Sequence, residues 1–310
     1  MKNKTIQYAT FFALATALIS GVSNFLNKVA IGAVKDPVVF TTLKNTLVAL
    51  FLIGLLLLLK KRREIASLSK NQILKLLAIG ALGGSIPFAL FFVGLAQTSA
   101  LNAALIHKTL FLWVVLMAIP VLKERMAAWQ WIGVIAVFAA NFLVGGFAGF
   151  KYNAGELMIL AATILWAIEN IIAKIALKDL SSVVVASARM AIGSLILMAV
   201  VVWRGGGGAV FNLNAAQWSW ALVASALLFG YVLAWYTALK YAPAIYAAAM
   251  LVPATLVTNV LSAIFITRSF TALQFLSSFL LIAGVALVIF FAKSAGDKIS
   301  SPQPSLWPSA

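Results

Sequence analysis

Asn24-Phe25-Leu26-Asn27-Lys28-Val29-Ala30 and Asn170-Ile171-Ile172-Ala173-Lys174-Ile175-Ala176 are two apolar stretches with the same Asn-x-x-x-Lys pattern, 146 residues apart. On an α-helix, residues four apart share a face. Each stretch therefore reads as a helix with an amide and an ammonium on one side. The echo continues downstream in the same order. Lys44 and Arg189 are 145 apart. Ala96-Gln97-Thr98-Ser99-Ala100, ahead of Ala103-Ala104, answers to Leu239-Lys240-Tyr241-Ala242-Pro243, ahead of Ala247-Ala248-Ala249, at 143. Lys123-Glu124-Arg125 falls opposite Ile266-Thr267-Arg268. Several anchors in one order at a nearly constant offset mark an internal repeat.

The residues around these anchors leave little polar surface for water. Of 310 residues, 64% are hydrophobic and 10% charged, with mean hydropathy +1.06. A soluble domain carries about 25% charged residues, so lipid is the expected solvent. Apolar runs of spanning length follow at 8–31, 38–59, 73–95, 101–121, 127–147, 155–177, 181–202, 218–238, 244–266 and 272–292. They are continuous rather than alternating, which selects helices over a β-barrel. The predicted fold is an all-α integral membrane protein of about ten transmembrane helices, built as two inverted five-helix repeats. The predicted division is 1–150, 151–292 and a disordered cytoplasmic tail, 293–310. Lys2 and Lys4 ahead of an apolar stretch mimic a signal peptide. That stretch runs on past Asn24 and Lys28, and the repeat needs it as a helix.

Charge placement sets the expected orientation. With the N-terminus in the cytoplasm, Lys2, Lys4, Lys60, Lys61, Arg62, Arg63, Lys70, Lys75, Lys123, Arg125, Lys178, Lys240, Lys293 and Lys298 lie inside. Only Lys35, Lys151, Arg204 and Arg268 lie outside. That asymmetry is the positive-inside pattern and predicts a multi-pass inner-membrane protein with both termini cytoplasmic. An odd number of helices per half turns the second half over, and inverted repeats recur in secondary transporters.

Composition narrows the function. The net charge of +16 sits in short loop clusters, not on a basic face, so nucleic acid is not an expected partner. With no Cys, one His and seven acids, metal, thiol and disulfide chemistry lack material. No cofactor is expected. No Walker motif or nucleophile constellation is present, which leaves an enzyme, including one acting on lipid, without a site.

Ionisable groups inside apolar spans cost about 2.5–3.5 kcal/mol each at the bilayer centre, so each needs an account. Lys28, Lys44, Lys174 and Arg189 either snorkel to the headgroups or line the mouths of a cavity as gating or structural contacts. Asn24 and Asn170 offer donor and acceptor to a polar substrate, or hydrogen bond between helices. Glu169 is the one acid deep in a span. It suits proton coupling, a substrate ammonium, or an ion pair with Lys108. His107 and Lys108 occupy the outer part of the fourth span, where Lys108 suits a carboxylate. Thr255, Thr258, Asn259 and Ser262 make a polar stripe after Pro253, as binding groups or as packing glue. Gly80-x-x-x-Gly84 before Pro87 reads as close packing, with a hinge as the sharper alternative. Phe91, Phe92, Trp113, Trp166, Tyr231, Trp235 and Tyr236 are candidate cavity walls.

Together these residues resemble the EamA family of the drug/metabolite transporter superfamily, with two repeats at about 8–147 and 155–292. The resemblance rests on the two Asn-x-x-x-Lys helices, Lys44 and Arg189, the turns before the fourth and ninth spans, and Lys123-Glu124-Arg125 followed by a helix containing Gly133. It implies ten helices and a central cavity lined mainly by helices 1, 3, 4, 6, 8 and 9. It also implies export or facilitated movement of amino acids and other metabolites. The sequence departs from the family pattern at Thr267, where an acid is usual, and at Lys44, where Arg is commoner. The expected substrate-contacting set is Asn24, His107, Lys108, Glu169, Asn170, Trp235, Thr255 and Asn259. The expected partners are a small-molecule substrate, most of all an amino acid, and the bilayer, with the chain a monomer or a dimer. Alternatives are a multidrug or nucleobase exporter of the same fold and a non-transporting membrane scaffold.

Overall fold

The computed structural model describes residues 2–34, 36–95, 97–98, 100–143, 152–206, 208 and 213–298. The side chains of Lys28, Ala104 and Thr267, the end of the fifth expected span at 144–147, and residues 299–310 lie outside the described residues.

The first half comprises α1 (Lys2–Val34), α2 (Pro37–Leu58), the short α3 (Arg62–Ala66), α4 (Lys70–Gly84), α5 (Ile86–Leu95), α6 (Ala100–Lys108), α7 (Leu110–Leu122) and α8 (Ala128–Leu143). The second comprises α9 (Ala154–Ala176), α10 (Ser182–Trp203), α11 (Ala215–Tyr241), α12 (Ala244–Leu251), α13 (Ala254–Ser262) continued by a π turn, and α14 (Ala272–Lys298). Pairs α4–α5, α6–α7 and α12–α13 are single spans interrupted near their middles. Nine helices among the described residues are long and apolar enough to cross a membrane. The tenth expected span is α8, described over 16 residues. The last helix runs through Lys298, into the segment expected to be a disordered tail.

Equivalent helices of the two halves start on equivalent residues. Asp36 accepts the backbone N–H groups of Val38 and Val39 to cap α2, and Ser181, 145 residues on, caps α10 through Val184. Ser69 with Gln72 closes a capping box on α4, and Asn214 with Gln217 closes one on α11. These side chains satisfy amides that the first helical turn leaves free.

The neighbours repeat as well. α1 lies along α11 and against α12 and α13; in the exchanged sense α9 lies along α4 and α5 and against α6 and α7. α2 crosses α10, and α8 pairs with α14. Exchanging the halves leaves this arrangement unchanged, as two related five-span units require. The tightest crossing is that of α4 and α10. A Cβ on Gly84 would stand 2.2 Å from the Arg189 carbonyl oxygen, and one on Gly193 2.5 Å from Gly84 Cα. Only glycine lets these backbones meet, so the Gly80-x-x-x-Gly84 pattern serves packing here. Large apolar side chains such as Phe11, Ile135, Leu195 and Phe279 point outward and exposed, as side chains solvated by lipid do.

Candidate functional site

The site begins with a missing N–H. Pro87 has no amide proton, so the carbonyl of Gly83 loses its partner four residues on, and the third span breaks at Ser85. That carbonyl accepts instead from Arg189 Nη2 and Trp166 Nε1, each at 3.1 Å. Residue 83 is glycine because a Cβ there would lie 2.6 Å from Glu169 Cγ and 3.0 Å from Arg189 Nε. Glu169, buried, accepts the hydroxyl of Tyr236 and interacts with the Arg189 charge. The guanidinium also lies over the Tyr236 ring, 5.9 Å from its centroid.

Two further interruptions are related by the repeat. The fourth span breaks at Thr109, whose hydroxyl turns back to the Ile106 carbonyl at 2.7 Å. The ninth breaks at Val252 and Pro253, 143 residues on. Helices broken near their middles, with freed backbone beside a cavity, are the usual construction of transporter binding sites.

The breaks surround a cavity between the halves. Its larger lobe, about 230 Å³, is lined by Ser20, Ser23 and Asn24 of α1, Lys44 of α2, Phe88 of α5, His107 and Leu110, and Trp166, Glu169 and Asn170 of α9. Arg189 of α10, Leu228, Tyr231 and Trp235 of α11, and Leu251 complete it. A second lobe of about 120 Å³ adds Lys108, Phe111, Val114, Ala248, Val252 and Ala254. Ser20, Asn24, His107, Leu110, Asn170, Trp235 and Leu251 belong to both lobes and mark where they join.

Six expected residues therefore converge: Asn24, His107, Lys108, Glu169, Asn170 and Trp235. Asn170 Oδ1 accepts the indole N–H of Trp235 at 3.1 Å, which turns its amide NH₂ away from that bond and free to donate. His107 sits against Trp166 and Phe91, with ring centroids 4.9 and 5.4 Å away. Thr255 and Asn259 are not among the lining residues. Their neighbour Thr258 donates to the Gly21 carbonyl at 2.9 Å, so that stripe joins α13 to α1.

One pairing differs from the expectation, and the alternatives left open for Lys44, Arg189 and Lys174 divide. Glu169 is engaged by Tyr236 and Arg189, not by Lys108, because the breaks put Lys108 in the other lobe. Lys44 and Arg189 do not snorkel: they are only 7% and 8% exposed, and both line the cavity. The second and seventh spans thus contribute to a lining that was expected mainly from six others. Lys174 takes a structural part instead. Its ammonium donates to the carbonyls of Leu239 at 2.7 Å, Lys240 at 3.3 Å and Ala242 at 2.6 Å. It caps the C-terminus of α11, where a cation meets the helix dipole.

The end of the bundle that carries the start of α1 is closed by contacts between the halves. Glu124 accepts the amides of Ala244 at 2.6 Å and Ile245 at 3.0 Å, capping α12. Thr10 and the buried Tyr246 share a 2.7 Å hydrogen bond, and Tyr8 meets Tyr241 edge-on. Glu64 of α3 accepts the Ser181 amide at 2.6 Å and pairs with Lys61 at 3.0 Å. Burial pushes the Glu64 carboxyl up, but the Ser181 N–H and Lys61 outweigh it and hold the group below the usual carboxylate range. At the other end, the first turn of α6, equivalent to that of α12, meets Glu156. Its carboxylate accepts Asn102 Nδ2 at 2.6 Å and Thr98 Oγ1 at 3.3 Å. An acid from α9 thus stands near where the repeat, with Thr267, supplies none.

Comparison with known proteins agrees with this arrangement. The model of the EamA-like transporter family matches twice, at residues 7–146 and 153–290. An uncharacterized transporter of Methanothermobacter thermautotrophicus is 22% identical over 242 residues, 76% of this chain and 69% of that one. The uncharacterized transporter YyaM of Bacillus subtilis is 28% identical over 159 residues, 49% of this chain and 52% of that one. A crystal structure superposes on 94% of this chain and 99% of its own with a TM-score of 0.75 at 14% identity, a likeness of fold.

Proposed function

The chain belongs to the EamA-like transporter family, and from that premise we propose that it exports small metabolites, amino acids foremost, across the inner membrane by alternating access. The observation that carries this reading is the cavity. It lies between two repeat-related halves, at three helix interruptions, and collects most of the ionisable side chains of the spans. A membrane scaffold has no use for cations gathered around a cavity, since each costs stability.

In this reading both termini are cytoplasmic, as the loop charges suggest. The contacts of Glu124, Glu64, Thr10 and Tyr8 then seal the cytoplasmic end, and substrate exchange there requires the halves to part. The two halves can take each other's conformations, so parting at one end is matched by closing at the other. Glu169 is held by Tyr236 and Arg189, and if transport is coupled to protons, protonation of Glu169 loosens that grip.

The test is uptake and efflux of labelled amino acids in proteoliposomes, with and without a pH gradient. Saturable flux is expected. Flux that follows the gradient means proton coupling and makes Glu169 and His107 the residues to replace next, and flux that ignores it makes the protein a facilitator. No saturable flux of any amino acid, nucleobase or sugar refutes the transport reading.

A further inference from the structure

The cavity is rich in donors and poor in acceptors, and its cations outnumber its anions. Lys44, Lys108 and Arg189 face it against one carboxylate, Glu169, which is already engaged by Arg189 and Tyr236. The chain has seven acids, and the described ones other than Glu169 are placed away from the cavity lining. Asp36 caps α2, Glu64 holds Ser181 and Lys61, Glu124 caps α12, and Glu156 holds Asn102. Asp179 lies exposed at the end of α9, and the side chain of Asp297 lies outside the described residues. Lys61–Glu64 is the one salt bridge among the described residues. No described carboxylate reaches Lys44 or Lys108. Lys44 meets the face of Phe40, 5.5 Å from the ring centroid, and no carboxylate.

A cation shielded from water with no anion beside it is costly, most of all at the buried Lys44 and less at the half-buried Lys108. Lys44 and Lys108 sit in different lobes that join at Asn24, His107, Asn170 and Trp235. The amide NH₂ of Asn170 adds an uncharged donor at that junction.

Resting on the transport reading above, we propose that the substrate is a small organic anion with two acid groups, the acidic amino acids included. One acid group meets Lys44 in the larger lobe and the other meets Lys108 in the second, with the connecting carbons against Trp235 and Leu251. The substrate supplies the counter-charges that the protein omits. A lysine with no carboxylate of the protein beside it binds an anion strongly and a neutral molecule weakly.

The experiment is counterflow in proteoliposomes with labelled glutamate and labelled succinate, competed by leucine, alanine and lysine. Saturable exchange of the two acids is expected, with neutral and cationic amino acids at least tenfold weaker as competitors. Lys44→Gln and Lys108→Gln should each raise the KM for the acids tenfold or more. Their thermal midpoints should stay level or rise, because a charge with no carboxylate partner is removed. Falling midpoints with an unchanged KM give the lysines a structural role and overturn the proposal. The competition panel uses the unaltered protein, so it decides even if a variant misfolds. Saturable exchange of neutral amino acids that the acids do not inhibit overturns the proposal and leaves the transport reading standing. Absence of saturable exchange for any of these solutes, or for nucleobases and sugars, overturns both.

Discussion

Replacing Lys174 by methionine separates a cap from a gate. The ammonium holds three carbonyls at the end of α11, two of them at 2.6 and 2.7 Å. Hydrogen bonds to a charged group contribute about 1.5–3 kcal/mol each, so the two short bonds alone amount to roughly 3–6 kcal/mol. Part of this is offset because the variant no longer buries a charge, and carbonyls at a helix end can find water. A net loss of about 2–4 kcal/mol follows, near the top of the range for single substitutions. A lysine that merely snorkels would cost next to nothing. The assay is thermal unfolding in detergent of Lys174→Met beside the parent chain, with flux normalised to folded protein. The midpoint should fall by several degrees while flux per folded molecule stays within about twofold. An unchanged midpoint with flux abolished would refute the capping role and return Lys174 to the gate.

Glu124→Gln leaves one acceptor for the α12 cap and sets an NH₂ against the other amide, at a cost of about 1–2 kcal/mol. Faster amide exchange confined to the start of α12, Ala244 and Ile245 first, is the expected result by hydrogen-exchange mass spectrometry. Gly84→Ala puts a Cβ against the Arg189 backbone and should sharply lower both the thermal midpoint and flux. Gly54→Ala, whose Cβ meets nothing within 4 Å, should be neutral or slightly stabilising, and equal effects at the two sites would contradict the crossing. Glu64 is held below the usual carboxylate range, so its stabilisation is full above the unfolded value of about pH 4.3 and fades as pH falls through the lower folded one. Glu64 is partly exposed, so Glu64→Gln should cost only about 0.2–1 kcal/mol at pH 7. The gap between the two melting curves should close in acid, and one that widens there contradicts the assignment.

Much of the fold was legible because membranes leave few options. Long apolar runs, basic loops and the recurring Asn-x-x-x-Lys gave spans and repeat, and Ser69-x-x-Gln72 and Asn214-x-x-Gln217 are readable caps. The site was legible in part. His107, Lys108, Glu169 and Asn170 stand out as polar groups in apolar helices, and they do converge. Pairings were not legible, because they depend on where the helices break. Pro87 and Pro253 signal two of the breaks, but Thr109 carries no such mark, and it separates Lys108 from Glu169. Lys174 and Glu124 act on the ends of other helices, which no spacing within their own helix reveals. Thr255 and Asn259 read as a binding stripe, but a polar stripe looks the same whether it faces a cavity or a neighbouring helix.

The central claim is that the halves must part at the end sealed by Tyr8 and Tyr241, which meet with ring centroids 5.4 Å apart and are both exposed. The chain has no cysteine, so Tyr8→Cys/Tyr241→Cys can be bridged there alone by a short cleavable thiol cross-linker. In proteoliposomes, flux of the best-carried substrate should fall to background on bridging and return when the linker is cut. Saturable flux that persists with the bridge intact would contradict it.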